Sequence, residues 1–363
     1  MSNPPNNKGK QLFFAAIVLL CLVIALGYVF LSARRAQNGT TQVVAPVSEN
    51  SSEKSATTSP LTVPIPAEKN MIDSLPDEPF LVSRNLRDGE DIGKVWVSTL
   101  AASDQVAWMS DLHCERVYFA AQTGICLQRI VQTVSAYTEA VLFDRQFRPT
   151  FRFKTDGIPS RARVSPDGRY AAFTVFVFGH SYADEQFSTA TFILDTTTGL
   201  PLANLEEFTV FQDGEEIDYP DFNYWGVTFS QQSNTFYATL RFNQTAYLVK
   251  GDIAKRTVTI LYTGVECPSL SPDETRVAFK KLVSRANWHL AVLDLTTFTE
   301  TEVVVTDNVD DQAEWLDNQT LLYGAINVNS PPTMHIMRVR ADGKGSPARF
   351  VFGANSPAVI RLP

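Results

Sequence analysis

Alternating apolar and polar positions recur along the chain, each time after a turn rich in Ser, Pro and Asp. Residues 170–173 (Tyr-Ala-Ala-Phe) follow Ser-Pro-Asp-Gly at 165–168, and residues 276–279 (Arg-Val-Ala-Phe) follow Ser-Pro-Asp-Glu at 271–274. Proline fixes φ at the first central position of a turn, and an alternating run is typical of a half-buried strand. Each nine-residue unit therefore predicts a turn followed by a β-strand.

Weaker copies of this unit make the chain a repeat protein. Taking Gly124, Gly168, Ser233, Glu274 and Asn318 as equivalent points, successive copies are 44, 65, 41 and 44 residues apart. A period of about 40–45 residues with strands throughout is typical of β-propeller blades. The spacing of 65 residues predicts one blade that carries a long insertion.

The apolar runs between the turns predict four antiparallel strands in each blade. The third strand of a blade ends in a turn, and the sequence predicts third strands at 190–195, 246–250, 288–294 and 334–339. Five complete blades are predicted at 112–155, 160–207, 222–263, 266–306 and 310–352.

The segments left over at both ends of the domain predict a shared sixth blade. Residues 356–362 resemble a first strand without partners, while residues 80–84, 94–100 and 105–109 resemble strands two to four without a first. Together they complete a blade, close the ring and remove the exposed edges of an open sheet. The predicted fold class is all-β, a six-bladed β-propeller with one N-terminal transmembrane helix.

The amino-terminal eighty residues have a different composition. Residues 12–31 are apolar and uncharged, and this length matches the ~20 residues that a helix needs to cross a bilayer. The alternative interpretation is a cleaved signal peptide, but the run is longer than the usual apolar region of such a peptide. We therefore expect a cytoplasmic tail (1–11), a transmembrane helix (12–33), a disordered linker rich in Ser, Thr and Pro (34–78) and a propeller (79–363) outside the cytoplasm.

The charge of the body argues against nucleic acid as a partner. The chain has 31 basic and 39 acidic residues, a net charge of -8, and residues 1–40 hold four of the bases and no acid. Residues 41–363 therefore have 27 bases and 39 acids, a charge of -12. An acidic body repels phosphate.

The repeats resemble those of TolB-like propellers, relatives of the WD-repeat folds. The resemblance rests on residues 164–173 (Val-Ser-Pro-Asp-Gly-Arg-Tyr-Ala-Ala-Phe) and 270–279 (Leu-Ser-Pro-Asp-Glu-Thr-Arg-Val-Ala-Phe), and it covers about 280 residues from near Phe80. It implies a bacterial, extracytoplasmic six-bladed propeller that binds proteins and is not an enzyme. No separate α/β domain precedes the propeller here, so the lipoprotein partner of TolB is not carried over.

Catalytic and metal-binding patterns are weak in this sequence. Residues 179–183 (Gly-His-Ser-Tyr-Ala) resemble the nucleophile elbow of α/β-hydrolases, but they lie between antiparallel strands and no helix follows. No His or Cys pair has metal-ligand spacing, and we expect no catalytic residues, no cofactor and no metal. The acidic runs at 213–221 and 307–311 leave calcium open as an alternative to a solvated loop.

Cysteine, tryptophan and basic residues give three smaller predictions. If residues 121–124 form a turn, Cys126 faces Phe119 and lies about 16 Å from Cys114 at ~3.3 Å per residue, which predicts that these cysteines are not bridged. We expect Trp225, Trp288 and Trp315 to pack in the core or between blades. Four basic residues are expected to line a central channel: Arg161, Arg163, Lys280 and Lys281.

Strand direction predicts where a partner binds. Connections between blades and connections from second to third strands lie on one face of a propeller, and the Ser-Pro-Asp-Gly turns lie on the other. The long segments 177–189, 206–225, 306–312 and 325–333 all belong to the first face. Loops on a rigid scaffold often carry function, so we expect a partner-binding mouth that contains His180, Tyr182, Asp184, Phe187, Tyr219, Asn223, Tyr224, Asp310 and Asp311.

The function expected from the sequence is that of a membrane-tethered, extracytoplasmic, non-catalytic module that binds a protein or acts as a sensor. Two alternatives stay open at this point. The first is an enzyme with its active site in the propeller funnel, and the second is a structural ectodomain of an envelope complex. Neither the partner nor a ligand is identified by the residues alone.

Overall fold

The computed structural model describes residues 76–133, 135–179, 181–182, 184, 186–303, 305, 308–309, 311–327 and 333–361. The predicted tail, transmembrane helix and most of the linker lie outside these residues. Within the described residues, no helix is long and apolar enough to cross a membrane.

Strands form six separate sheets, and each contains four antiparallel strands that we number as first to fourth from the centre outwards. One sheet has two further strands at its outer edge. The N-terminal sheet, blade I, contains β1 (Phe80–Asn85), β2 (Lys94–Thr99) and β3 (Trp108–His113). Blade II contains β4 (Arg116–Ala120), β5 (Thr123–Val131), β6 (Ala136–Asp144) and β7 (Pro149–Thr155). Blade III contains β8 (Ile158–Val164), β9 (Tyr170–Phe178), β10 (Ser188–Asp195) and β11 (Pro201–Asn204).

An insertion precedes the fourth sheet, and three further blades follow it. The insertion holds a 3₁₀ helix (Leu205–Glu207), β12 (Thr209–Gln212) and β13 (Glu215–Ile217). Blade IV contains β14 (Asn223–Phe229), β15 (Thr235–Phe242), β16 (Thr245–Asp252) and β17 (Thr257–Thr263). Blade V contains β18 (Glu266–Leu270), β19 (Arg276–Ser284), β20 (Asn287–Asp294) and β21 (Glu300–Glu302). Blade VI contains β22 (Glu314–Trp315), β23 (Thr320–Asn327), β24 (Thr333–Arg340) and β25 (Ala348–Val351), and β26 (Ala354–Ile360) follows.

Strand β26 closes the ring as the sequence predicts. It is the first strand of blade I and pairs antiparallel with β1, so Phe80 lies opposite Ile360. The first strands of neighbouring blades contact each other in the order β26, β4, β8, β14, β18, β22 and back to β26. The predicted six-bladed, all-β architecture with a shared blade is therefore confirmed.

The predicted third strands are confirmed, whereas one fourth strand was misplaced. Strands β10, β16, β20 and β24 contain the four segments predicted from apolar runs that end in a turn. The fourth strand of blade I was expected at 105–109 but is Trp108–His113. It pairs with β2 through Val97 and Trp108, so the preceding residues form the turn instead of the strand.

The insertion of blade IV is not the open loop expected at 206–225. Strand β12 runs parallel to β17, with Val210 opposite Val258, and β13 adds a sixth strand to the sheet. Val210 and Leu205 are buried in the same cluster as Phe236 of β15. The insertion thus covers the outer edge of blade IV, because β12 pairs with the backbone groups that β17 would otherwise leave unpaired at that edge.

The prediction that Cys114 and Cys126 are not bridged is wrong. The two residues form a disulfide, with their Cα atoms 5.4 Å apart. The turn between β4 and β5 has only two residues, so Val117 lies opposite Cys126. Cys114 does not continue the β4 ladder: its N–H donates to the carbonyl of Gly93 in blade I (2.9 Å). The disulfide therefore joins blades I and II.

The core consists of apolar layers between blades. Clusters combine residues of neighbouring sheets, as where Phe80 and Val82 of blade I pack with Phe119 and Phe143 of blade II. Trp225, Trp288 and Trp315 are buried, as expected for interblade packing. Close packing of these interblade layers makes the ring a rigid scaffold.

Candidate functional site

The two faces of the propeller carry different connections between strands. We call the face on which second strands lead into third strands the hairpin face, and the opposite face the turn face. First strands begin at the hairpin face and end at the turn face, because each pairs antiparallel with its second strand. A site along the channel can therefore be described from the hairpin face inwards.

At the hairpin face, five aromatic side chains of blades III, IV and V form one buried cluster, which we call the mouth cluster. It contains Phe176, Tyr182, Phe187, Trp225 and Trp288, packed with Cys267. Tyr182 connects its parts, with ring centroids 4.7 Å from Phe176 and 5.0 Å from Trp225. Its hydroxyl lies 2.5 Å from Ser160 Oγ in the first strand of blade III. The segment after β9 is thus anchored to the channel wall.

Basic side chains surround the mouth cluster. Lys280 is fully buried, and its Nζ lies 4.3 Å from the ring centroid of Trp288 and 5.5 Å from that of Tyr182. The guanidinium of Arg161 lies 5.2 Å from Tyr182, and that of Arg241 lies 4.8 Å from Phe187. Such cation–π contacts contribute about 0.5–2 kcal/mol each. The rings hold the cations in place beneath the hairpin face.

One carboxylate lies among these cations. Glu266 Oε1 accepts a hydrogen bond from Trp288 Nε1 (3.0 Å). Burial raises the pKa of the Glu266 carboxyl, and the Trp288 hydrogen bond and the charges of Lys280, Arg241 and Arg161 oppose that rise. Sequence reasoning missed Glu266, because a single acid at the start of a strand has no distinguishing pattern.

The middle of the channel is filled by polar side chains of the inner strands. Gln312 Nε2 donates to the carbonyl of Pro268 (2.6 Å), so blade VI reaches across to blade V. Asp311 is buried and its Oδ2 accepts from the Ser356 N–H (2.9 Å). A cavity of about 10 Å³ remains between these groups, Arg161 and Arg163, which is room for one water molecule.

At the turn face, the channel ends in a cavity of about 80 Å³ whose lining includes residues of all six blades. Glu314 is central to it: the Tyr118 hydroxyl donates to its Oε2 at 3.2 Å, the Val359 N–H donates to its Oε1 at 3.4 Å, and Arg163 lies 3.5 Å away. Burial raises the pKa of the Glu314 carboxyl, and Arg163 and Arg361 partly offset this. Glu314 thereby ties blade VI to blades I, II and III.

The nine residues predicted for the partner-binding mouth do not form one cluster. His180 and Asp310 lie outside the described residues. Tyr182 and Phe187 pack together in the mouth cluster, while Asp184 is exposed and its Oδ2 accepts from the Ser181 N–H. The remaining four lie at blade IV or in the channel: Tyr219, Asn223, Tyr224 and Asp311.

Most of these four have structural contacts. Tyr224 is fully buried, and its carbonyl accepts from the hydroxyls of Thr189 and Thr191 (2.8 and 2.5 Å), which ties blade IV to blade III. Asn223 Oδ1 accepts from the Thr189 N–H (2.9 Å). Tyr219 keeps 37 % of its surface and stacks on Phe242. Tyr224 and Asp311 therefore offer a partner no surface, and a partner-binding role for the set stays a prediction.

Two acidic segments were weighed as calcium ligands, and Asp307 and Asp310 of the second lie outside the described residues. Glu215 and Glu216 lie on β13 at the outer edge of blade IV and are exposed. Among the residues that the structure describes, no group of three or more His, Cys, Asp or Glu side chains has a geometry that could hold a metal ion.

The hairpin face also carries exposed apolar side chains at the ends of second strands, which sequence reasoning missed. Val131 ends β5 and is 72 % exposed, Phe178 ends β9 and is 61 % exposed, and Leu282 near the end of β19 is 52 % exposed. Val283 follows at 45 %. In β5 and β9 the last residue of the strand is itself apolar, so no polar residue ends the strand before the turn, whereas β19 ends in Ser284.

Comparison with known proteins rests on solved structures. No protein-family model matches the chain, and no curated protein matches it. TolB from Acinetobacter baumannii superimposes with a TM-score of 0.55 at 15 % identity, over 77 % of this chain and 66 % of that one. This chain thus corresponds to just under two thirds of that TolB protein.

Two further structures are more distant. A putative TolB from Agrobacterium tumefaciens gives a TM-score of 0.46 at 15 % identity, over 77 % of this chain and 91 % of that one. A puromycin-hydrolysing peptidase of Mycobacterium tuberculosis gives 0.46 at 11 % identity, over 80 % and 45 % of the two chains. The blade order, the shared closing blade and the first of these likenesses together identify the fold of this chain as that of a TolB-like six-bladed β-propeller.

Proposed function

We propose that this chain is a protein-binding module of the bacterial envelope, and that the partner contacts the hairpin face. The observation that carries the proposal is the set of exposed apolar side chains there: Val131, Phe178, Leu282 and Val283, on blades II, III and V. Exposed apolar residues that gather on one face of a rigid scaffold mark interaction surfaces. The function of TolB-like propellers expected from the repeats agrees with this proposal.

Non-catalytic binding is the second part of the proposal. Around the mouth cluster, Ser160 is bonded to Tyr182 and Glu266 to Trp288, and both Ser160 and Lys280 are buried. These contacts hold strands of blades III and V and the segment after β9 together, which supports a structural role for these groups. A groove of about 270 Å³ does lie on the hairpin face between blades I and II, next to His113 and the Cys114–Cys126 disulfide. It adds concave surface to the proposed interface.

The proposed location is outside the cytoplasm, with the propeller tethered by the predicted helix at 12–33. The Cys114–Cys126 disulfide supports this, because such bonds form and persist in oxidising compartments. The acidic body supports a protein partner over nucleic acid or an anionic lipid surface.

The test is chemical crosslinking in intact cells with the full-length chain as bait. The bait variant Val131→Ser/Phe178→Ser/Leu282→Ser removes one apolar side chain from each of three blades on the hairpin face. Burying such a side chain contributes about 1.5–3 kcal/mol, so capture should fall at least tenfold.

The control variant carries the same three chemical changes on the turn face: Val106→Ser, Phe298→Ser and Leu200→Ser, at residues 39 %, 39 % and 47 % exposed. It should capture partners like the unmodified chain. Equal capture by all three baits, with unchanged thermal unfolding, would refute the hairpin face as the interface. A purified chain that turns over a substrate would refute the non-catalytic part.

A further inference from the structure

The second strand of blade II extends beyond its first strand at the hairpin face. Strand β4 pairs with β5 only as far as Arg116 opposite Leu127, whereas β5 continues to Val131. Residues 128–131 pair with β6 on their outer side. Among the described residues, no backbone hydrogen bond joins 128–131 to a strand on their inner side. This inner edge of β5 is therefore open, and an unpaired strand edge is a template for a further strand.

The register of the β5–β6 hairpin shows which backbone groups face the open edge. The N–H of Gln132 donates to the carbonyl of Ser135 (2.8 Å), so this pair is hydrogen-bonded across the hairpin. Hydrogen-bonded and non-hydrogen-bonded pairs alternate in an antiparallel ladder, and β5 pairs with β6 without a register shift. Ile130 therefore bonds to β6, while the N–H and C=O groups of Arg129 and Val131 point to the open edge.

The segment that enters blade II does not cover this edge. In blade VI the entering segment continues beside the second strand, where Val309 forms a bridge with Ala325 beyond the end of β22. In blade II the corresponding segment is held on blade I, because the Cys114 N–H donates to the carbonyl of Gly93 (2.9 Å). It joins the β5 ladder only after Cys114, at Leu127 and towards the turn face.

The groove of about 270 Å³ between blades I and II adjoins the open edge. Ile92 of blade I and Ile130 of β5 both line it, and Ile92 is 49 % exposed. Arg84 and Glu115, which also line it, form an ion pair with each other (3.2 Å). Successive side chains of a strand point to opposite faces, so every second side chain of an added strand would face this groove. Apolar side chains at those positions would cover the two isoleucines.

A backbone in the extended conformation matches the open edge, because it presents N–H and C=O groups at the spacing of Arg129 and Val131. We propose that this edge is a site where an extended segment of a protein partner adds to blade II as a further strand, in line with β4. Its alternate, apolar side chains lie in the groove beside Ile92 and Ile130. This proposal rests on the proposed function, since it names how the partner binds at one part of the hairpin face.

The probe is a phage-displayed library of random heptapeptides selected on the full-length chain. We expect enriched peptides with an apolar residue at every second position. Each is then labelled and titrated, by fluorescence anisotropy, with the unmodified chain, Arg129→Pro and Arg129→Ala. Proline removes the N–H at the open edge and leaves the pairing with β6, which that N–H does not join. Alanine keeps the N–H, so Arg129→Pro should bind at least about tenfold more weakly than Arg129→Ala.

A second measurement leaves the chain unchanged. The amides of an enriched peptide are N-methylated at every second position, in each of the two possible registers. Only one edge of an added strand pairs with β5, so one register should abolish binding and the other should retain it. This contrast separates strand addition from burial of the peptide's side chains alone.

Three outcomes overturn the proposal. They are equal binding of every enriched peptide to Arg129→Pro and Arg129→Ala, equal binding of the two N-methylated registers, and dimerisation of the chain that Arg129→Pro abolishes, which would reassign the edge to a second copy. Peptide binding that fails while hairpin-face capture from cells persists overturns this inference alone. Capture that fails while the peptides bind as expected overturns the proposed function instead.

Discussion

Glu314 holds four blades together, so replacing it should weaken the closed ring. Its carboxylate accepts hydrogen bonds from the Tyr118 hydroxyl and the Val359 N–H, and it faces Arg163. The informative pair of variants is Glu314→Ala and Glu314→Gln. Alanine removes both acceptor oxygens and the charge. Glutamine removes the charge and replaces one oxygen by an NH2 group, but a carbonyl oxygen at the Oε1 position can still accept from the Tyr118 hydroxyl (3.3 Å) and the Val359 N–H (3.4 Å).

The structure sets the expected magnitudes. The side chains of Arg163 and Glu314 are only 8 % and 5 % exposed, so bulk water hydrates the remaining charge poorly once its partner is removed. Removing one partner of a buried pair costs about 3–5 kcal/mol, and we expect this range for Glu314→Ala. Glutamine still accepts from Tyr118 and Val359, so its cost should be about 1 kcal/mol. At about 2–4 °C per kcal/mol for domains of this order of size, alanine should lower Tm by about 6–20 °C.

The pH dependence has a definite sign. Burial raises the pKa of the Glu314 carboxyl in the folded chain, so the folded state holds this proton to higher pH than the unfolded state does. The stabilisation from this proton is fully present below the unfolded pKa and is lost as pH rises through the folded pKa. The free energy of unfolding of the unmodified chain should therefore fall relative to that of Glu314→Gln as pH rises. The advantage of the unmodified chain over the variant should be largest at acidic pH.

The assay is equilibrium urea unfolding followed by tryptophan fluorescence, repeated from pH 4 to pH 8 for the three chains. The m-value should stay constant, since the surface exposed on unfolding is the same. An alanine cost below about 1 kcal/mol would refute the role of Glu314 as the tie between blades. A stability difference between the unmodified chain and Glu314→Gln that grows with pH in favour of the unmodified chain would refute the raised pKa.

Two further predictions concern covalent and steric features. Replacing Cys114 and Cys126 together by alanine should lower the free energy of unfolding by up to about 3 kcal/mol, the value for a disulfide that closes a loop of about 15 residues, because this one spans a separation of 12. Mass spectrometry of the unreduced chain should find these two residues linked. Free thiols at both positions would contradict the disulfide. Gly124→Ala should lower the free energy of unfolding by about 1–3 kcal/mol, measured by thermal unfolding, since a Cβ there would lie 2.0 Å from the Phe143 ring. If that clash is the cause, the double variant Gly124→Ala/Phe143→Leu should recover part of the lost stability.

The candidate site was harder to predict from sequence than the blades. Tyr182 and Phe187 were expected near the mouth and do pack together there, because both belong to one connection between β9 and β10. Tyr224 and Asp311 were expected on the surface but are buried. Their burial is decided by Thr189 on the neighbouring blade and by Ser356 near the chain end, and no local pattern reveals such distant contacts.

The sequence by itself determined the number of blades, the strand order and the closing blade, because turn chemistry and strand alternation are local properties that repeat with a constant period. Tertiary structure alone decided the remaining features. Ala121 in the turn between β4 and β5 has a positive φ of 51°, and because it is not a glycine the sequence gives no signal for this conformation. The resulting strand register brings Cys126 to Cys114. The insertion became two strands because the edge of β17 offered hydrogen-bond partners. Which apolar strand ends are covered depends on contacts between segments far apart in the chain, and only the folded chain brings these together.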